Sequence, residues 1–321
     1  DYDFSMSSKN TSLNSFKFKF NVGQQQVKTD LNYILNDQHT LHAGFSSILY
    51  DISPSSYLPL GEESIVDTDI LEREKGIETA LYAGDHFEIN SKLTLYLGLR
   101  FSMFSSFGPK TVYEYDPQLP REKASITDTT RYNGGIIKSY GGPEPRLSAR
   151  YLIDKNSSLK LSYGRTRQYI QMLSNNTAIS PTDIWKLSDS YIKPQIADQF
   201  SVGWFRNWNG GVYELSIEGY YKFISQATDF QNGAILIRNH HLETDILNAR
   251  GKAYGAEFMI RKSVGRLNGW LSYTWSRTFL QAKSDFDIEE VNKGHFYPSN
   301  FDKPHSVNFI SNYKFNRRLN F

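Results

Sequence analysis

The sequence predicts an all-β fold, an antiparallel up-and-down sheet that spans a membrane as a barrel, and three observations carry that prediction. Aromatic residues make up 15% of 321 positions, with 21 Tyr, 21 Phe and 5 Trp against 4 Met, which suits strands far better than helices. Apolar and polar residues alternate with a period of two over one segment after another, the pattern of a strand with one oily and one wet face. Short links and excursions of about twenty residues alternate along the chain, so one rim of the sheet is trimmed and the other elaborated. Sandwiches and propellers keep no such end-to-end order, whereas transmembrane barrels have short turns at one rim and long loops at the other.

The clearest hairpin runs from Arg250 to Phe279. Tyr254, Ala256, Phe258, Ile260 and Val264 share one parity, and Leu267, Leu271, Tyr273 and Trp275 share the next. For these faces to coincide Val264 must oppose Leu267, with Gly265-Arg266 as a two-residue turn whose glycine suits type II′. Earlier in the chain DYDFSMSSKN carries no readable pattern. Phe16, Phe18, Phe20 and Val22 then alternate with Lys17 and Lys19, after which the apolar parity flips to Val27, Leu31, Tyr33 and Leu35. The flip across Gly23 reads as a bulge or a break between strands. LHAGFSSILY follows a short link, and Asp51 to Glu72, with Pro54, Pro59 and Gly61, reads as a loop.

Ile77 to Phe87 and Leu93 to Met103 form two strands on odd parity, which requires an odd turn, Asn90-Ser91-Lys92, between Ile89 and Leu93. A polar excursion spans Ser105 to Glu144. Strands at Leu147 to Ile153 and Leu159 to Tyr163 precede a loop from Met172 to Pro194. Phe200 to Trp208 and Gly211 to Phe223 differ in parity, so Asn209-Gly210 is read as a type I′ turn with Trp208 opposite Gly211. A further excursion covers Ser225 to Ala249, another runs from Leu280 to Lys303, and HSVNFISNYKF and the fragment RLNF end the chain. About 12 strands result.

A mean hydropathy of −0.52 with 22% charged residues excludes a helical membrane protein, because no run approaches the ~20 apolar residues of a spanning helix. It does not exclude a barrel, whose lumen-facing residues and loops are polar. The net charge of +2 gives no reason to invoke nucleic acid, and cysteine is absent. No initiator Met or signal peptide opens the chain, so it reads as processed or as part of something longer.

EPRLSARY, SLKLSYGRTRQYI, PTDIWKLSDSYIKPQIADQFSVGWFRN, EGYYK, AYGAEFMIRK with GWLSYTWSRT, and YPSNFDKPHSVNFISNYKF together resemble the barrel of a TonB-dependent outer-membrane receptor. The resemblance covers the chain from about Ile77 onward and lies in the order of several short motifs. It implies a barrel of 22 strands in a Gram-negative outer membrane, closed around an N-terminal plug and importing a scarce ligand with energy delivered by TonB. Residues 1–321 then form a β-barrel segment, with the plug domain and the C-terminal strands outside this chain and with unpaired outer edges on the first and last strands. The ligand, whether glycan, peptide, siderophore or cobalamin, stays open, as does a surface lipoprotein that lids the barrel.

Ligand recognition is expected at the long-loop end, at Tyr113, Tyr115, Tyr140, Trp185, Tyr191 and Phe230, since loops on a rigid scaffold are where binding sits; each can equally pack a loop. The wet parity carries Glu78, His86, Arg100, Arg146, Arg150, Lys160, Glu214, Glu218, Glu257 and Arg261. These line the lumen and either touch ligand and plug or, the favoured reading, pair with one another. His240 and His241 with Glu243 and Asp245 have metal-ligand chemistry, and Asp285, Asp287, Glu289 and Glu290 suit calcium, but both runs read more simply as solvated loop residues. No Gly-x-Ser-x-Gly, phosphate loop or HExxH occurs, so no enzyme and no cofactor is predicted. A passive porin-like channel shares every strand feature, and a soluble glycan-binding β protein is the remaining alternative.

Overall fold

The computed structural model describes residues 2–8, 11–174 and 183–315. Its body is one antiparallel sheet of 14 strands; two of these are two-residue strips, Asp69–Ile70 and Tyr297–Pro298, which leaves twelve long ones. In chain order they are β1 (Tyr2–Ser8), β2 (Phe16–Ile34), β3 (His39–Pro59), β4 (Glu74–Glu88), β5 (Leu93–Phe107), β6 (Ile136–Asp154), β7 (Ser157–Gln168), β8 (Gln195–Trp208), β9 (Tyr213–Phe230), β10 (Ile246–Lys262), β11 (Leu267–Ala282) and β12 (His305–Tyr313). Each pairs with its neighbours in sequence. β1 occupies the stretch with no readable pattern, because only seven residues of it pair, against Phe16 to Val22 of β2.

Alternating parity is a matter of solvent on both faces. Leu97, Leu99, Leu147, Leu161, Phe200, Val202, Phe258 and Leu271 all lie exposed on one side of the sheet. Glu78, Arg100 and Arg150 project from the other face. No described helix is long and apolar enough to cross a membrane. Trp208 and Tyr213 stack 5.5 Å apart beneath the Lys262 ammonium at the short-turn rim, as an interfacial aromatic girdle does. Leu97→Arg should therefore cost about 2–4 kcal/mol, the penalty of a cation deep on a lipid face. Ser148→Arg, on the neighbouring strand and opposite face, should cost under about 1 kcal/mol. Urea unfolding of the full-length protein in detergent micelles and lipid vesicles measures both; equal costs would undo the lipid-facing assignment.

Two of the three predicted turns keep their register. Lys262 opposes Gly269, the register that sets Val264 against Leu267, although the paired ladder ends at Lys262; Gly265 has φ +114°. Glu88 opposes Thr94 as the three-residue turn requires, and the Asn90 carboxamide closes it by accepting the Lys92 and Leu93 amides at 2.9 and 3.0 Å. The third turn differs. Trp208 opposes Tyr213, not Gly211, and Asn209, Gly210 and Gly211 all have positive φ, with the Val212 amide donating to the Asn209 carbonyl at 3.3 Å. The loop is two residues longer than predicted. A shift of two leaves every side chain on its predicted face.

The parity flip at Gly23 is neither a bulge nor a break. β2 runs unbroken from Phe16 to Ile34, with Phe18, Phe20 and Val22 buried inward while Val27, Leu31 and Tyr33 face outward below them. The irregularity is on the partner strand, where Pro54-Ser55 oppose the single residue Phe20. Asp51 to Pro59 is accordingly strand and not loop. Most other strands also outrun their predicted ends, which narrows three excursions to residues 108–135, 231–245 and 283–304, whereas the one predicted from Met172 begins earlier and spans 169–194. Beyond the lipid both faces meet water or protein, so the ladder continues after the pattern stops. Among the described residues β1 and β12 do not pair with each other, and the sheet is open; the predicted final strand at Arg318 to Phe321 lies outside the described residues.

Candidate functional site

The lumen wall changes character from the turns to the mouth. In its lower half Glu218 stands directly opposite Glu257, and Lys160 directly opposite Arg150, so like charges are neighbours. Among the described residues Glu78 pairs with Arg100 at 2.9 Å and Glu214 with Arg261 at 3.7 Å. Arg146, Arg150, Glu218 and Glu257 form no ion pair there. Towards the mouth the wall turns apolar, and Phe18, Phe20, Val22, Tyr50, Ile52 and Phe104 form a dry cluster on the inner face of the sheet.

That cluster is covered by chain from the far side. Tyr169 leaves β7, and the strands Ile170–Leu173 and Ile184–Leu187 form a hairpin stem. The Tyr169 and Phe104 rings stack 5.2 Å apart, Leu187 joins the cluster, and Trp185 and Tyr140 pack at its edge. Phe104 lies flat over Gly76, where a Cβ would come within 2.7 Å of the ring. The stem thus narrows the mouth from within.

Ion pairs fix it there. Lys186 reaches Glu74 and, at 2.8 Å, Asp189, while Lys110 contacts the same two carboxylates at 2.8 and 3.2 Å. Glu74 also accepts the Leu187 amide at 2.8 Å. Burial opposes ionisation of Glu74 and Asp189, but the two ammonium groups outweigh it and hold both carboxyls below their ordinary range. For Lys110 burial is likewise overcome, by Glu74 and Asp189, and its pKa is raised. One four-membered cluster therefore ties the start of β4, the hairpin Lys110–Tyr115 with Ile126–Tyr132, and the stem.

Above the cluster three excursions meet. Tyr115 donates to Glu243 at 2.7 Å, Tyr191 to the Tyr113 carbonyl at 2.5 Å, and Arg121 to the Glu243 carbonyl at 2.9 Å. Tyr115 and Tyr191 meet edge to face at 5.5 Å, Arg121 covers Tyr191 at 5.0 Å, and His241 lies 4.5 Å from Tyr113. Burial, reinforced by Glu243, raises the Tyr115 pKa; burial lowers that of His241. Asp69 holds Arg238 and His240 at 2.8 Å each, and Glu72 receives Thr111 and Arg131, so the 60–73 segment fastens its neighbours. Two openings remain: one of about 120 Å³ beside Glu72, Lys110, Tyr113 and His240, and one of about 440 Å³ beside Arg121, Lys123, Gln231 and Arg238.

Of the residues predicted to meet ligand, Tyr113, Tyr115 and Tyr191 come together in this packed loop cluster, and of the three Tyr113 lines the smaller opening. Tyr140 and Trp185 pack below in the inner cluster, and Phe230 covers Leu173, Ile184 and Ile246. Arg121, Lys123 and Arg238 escaped sequence reasoning, since isolated cations in aperiodic loops carry no spacing signal. His240 and His241 point to different partners, and among the described residues no three His, Asp or Glu converge on a metal position. Glu289 instead accepts the Arg121 amide at 2.8 Å.

The family described as TonB dependent receptor-like, beta-barrel, matches residues 1–321. Among solved structures the chain is similar to the copper transporter OprC, with a TM-score of 0.61 at 13% identity over 98% of this chain and 47% of that one. It is similar to the FrpB iron transporter of Neisseria meningitidis, with a TM-score of 0.56 at 13% identity over 98% and 48%. The ferripyoverdine receptor of the Pseudomonas aeruginosa outer membrane gives 0.56 at 14% over 98% and 39%. The chain thus spans about half the length of these proteins or less, and at such identity the likeness is one of fold. No curated protein matches it.

Proposed function

Because this chain belongs to the TonB-dependent receptor-like β-barrels of the Gram-negative outer membrane, we propose that it forms part of the wall and the mouth of a receptor that actively imports a scarce ligand, drawing energy from TonB through a plug in the lumen. The observation that carries this reading is the mouth itself: a hairpin stem folded inward and fastened by buried ion pairs, with polar and cationic openings above it. A mouth narrowed by a fastened stem and topped by polar openings suits a receptor that engages its ligand before passage. The similar proteins named above move iron, copper and a ferric siderophore, and a ligand of that scarce kind fits the reading; a surface lipoprotein lid is compatible with it. Uptake of labelled ferric siderophores and copper by cells carrying the full-length receptor is expected to disappear when TonB is deleted. Uptake that survives the deletion would move the reading to a passive channel.

The lumen gives a second test. Two carboxylates directly opposite each other, Glu218 and Glu257, repel unless a cation lies between them. In this reading the plug supplies it. The double change Glu218→Gln with Glu257→Gln should loosen the plug and raise sensitivity to a bulky antibiotic several-fold, measured as minimum inhibitory concentration. Unaltered sensitivity at equal receptor abundance would count against a plug contact there.

A further inference from the structure

The lipid-facing wall is not smooth. Across β6 to β10 one row of outward residues runs Ala149, Leu161, Val202, Gly219, Ala256 in unbroken register, with Ala or Gly at three of its five positions. The row nearer the mouth is large, Leu147, Tyr163, Phe200, Tyr221, Tyr254, and so is the row nearer the turns, Tyr151, Leu159, Trp204, Ile217, Phe258. A trough of about 800 Å³ lies over the Ala149 to Ala256 row and along the large row on its mouth side, and ends at Trp275. Since side chains stand roughly perpendicular to a sheet, three reduced side chains, at Ala149, Gly219 and Ala256, are enough to cut it.

One cation overlooks this trough. Lys252 stands on the same outer face one row above Tyr254, with its ammonium 4.1 Å from the Phe296 ring and 5.5 Å from that of Phe279. The neighbouring Arg165 and Arg277 are neutralised by Asp198 and Asp302; among the described residues Lys252 forms no ion pair. It lies about ten residues along β10 from the girdle lysine, Lys262. At ~3.3 Å per residue and a ~40° tilt this is about 25 Å, the height of the apolar band. Lys252 therefore sits where hydrocarbon gives way to head groups.

We infer that the trough is a binding site for a bilayer lipid with an anionic head group, its acyl chain lying along the Ala149 to Ala256 row and its head group on Lys252. The trough is cut into the surface that already faces hydrocarbon, so lipid reaches it, and the unpaired ammonium of Lys252, one row beyond the Tyr254 that lines the trough, selects the sign of the head group. Flat belts elsewhere exchange their lipids freely. Here a chain fills a dent that would otherwise leave its lining without contacts.

Trp275 reports occupancy directly. The full-length receptor, reconstituted in phosphatidylcholine vesicles, is titrated with dibrominated phosphatidylglycerol or dibrominated phosphatidylcholine, and the Trp275 contribution is isolated by difference against Trp275→Phe. Quenching is expected at about fivefold lower mole fraction of the anionic lipid, the factor for ~1 kcal/mol per basic residue at a lipid surface. Lys252→Ala should remove that preference. Gly219→Leu should halve quenching by either lipid or more; a Cβ at Gly219 meets nothing nearer than 3.8 Å, so this variant folds. Equal quenching by the two lipids in the wild type, or preference unchanged in Lys252→Ala, would overturn the proposal. Uptake is not the readout, so the site and the transport reading stand or fall separately.

Discussion

Lys186→Met is expected to free the hairpin stem from the wall of the barrel while leaving the strands assembled. The side chain of Lys186 is 6% exposed and that of Glu74 7%, so the change leaves two buried carboxylates sharing the Lys110 ammonium alone. Breaking a buried pair by removing one partner costs about 3–5 kcal/mol. The loss should be local, because only the stem, the Lys110 hairpin and the start of β4 meet at this cluster. Hydrogen exchange of residues 184–192 in the full-length receptor is the measurement, and protection falling by two to three orders of magnitude is expected. Pairing the change with Glu74→Gln should restore part of it, since fewer charges then lack partners. Protection unchanged in the single variant would show that the ion pairs do not hold the stem.

The same cluster fixes a pH dependence. Glu74 and Asp189 have lowered pKa values in the folded state, so their contribution is present above the ordinary carboxylate values of about 4 and is lost as pH falls through the lower folded ones. The Lys110 pKa is raised, so its contribution is complete below about 10.4 and fades as pH rises past the folded value. Protection of the stem should therefore be level between about pH 5 and 10, and should fall first on the acid side below about 4.

Phe104→Ala is expected to destabilise the mouth by a similar amount, about 3–5 kcal/mol for an aromatic removed from a closed core. Phe104 is wholly buried and has Gly76 on one face and Tyr169 against the other. Its loss opens a cavity that neither neighbour can fill. Gly76→Ala alone should be harmful too, because its Cβ would strike the ring. The two together should cost less than their sum, since the methyl group of one enters the space left by the other. Denaturant titration followed by proteolysis at the 169–194 segment measures all three, and strict additivity would contradict the packing described.

What the sequence made legible was the part of the molecule in contact with lipid. Leu93 to Met103 could be read because hydrocarbon on one side and a wet lumen on the other force a period of two. Phe16 to Val22 shows the same period with opposite meaning: at the mouth the dry side is inside, and Lys17 and Lys19 face out. A rule tuned to lipid mistakes that inversion for a break at Gly23. The bulge that does exist, at Pro54-Ser55, was hidden in a proline-rich stretch that reads as loop. The Trp208 turn was misjudged because Asn209-Gly210 is the favoured pair for a tight turn, and Gly211 extends the positive-φ run by one more residue. At the mouth, Tyr113, Tyr115 and Tyr191 could be singled out by residue type alone. Glu74, Lys110, Lys186 and Asp189 were not, since ion pairs between loops leave no interval for a periodicity to reveal.

The inward stem also bears on the order in which the molecule is made. Its Leu187 amide bonds to Glu74 across 113 residues of chain, while every wall strand pairs with its neighbour in sequence. Local pairings form early, and contacts of high sequence separation wait until the intervening chain is in place. The stem can therefore take its place only once the chain from β4 to β7 is in place, so the entrance narrows after those wall strands have paired. Damage to the sealing contacts should leave insertion into the membrane intact and produce a receptor that is present at full abundance, correctly placed, and permanently ajar.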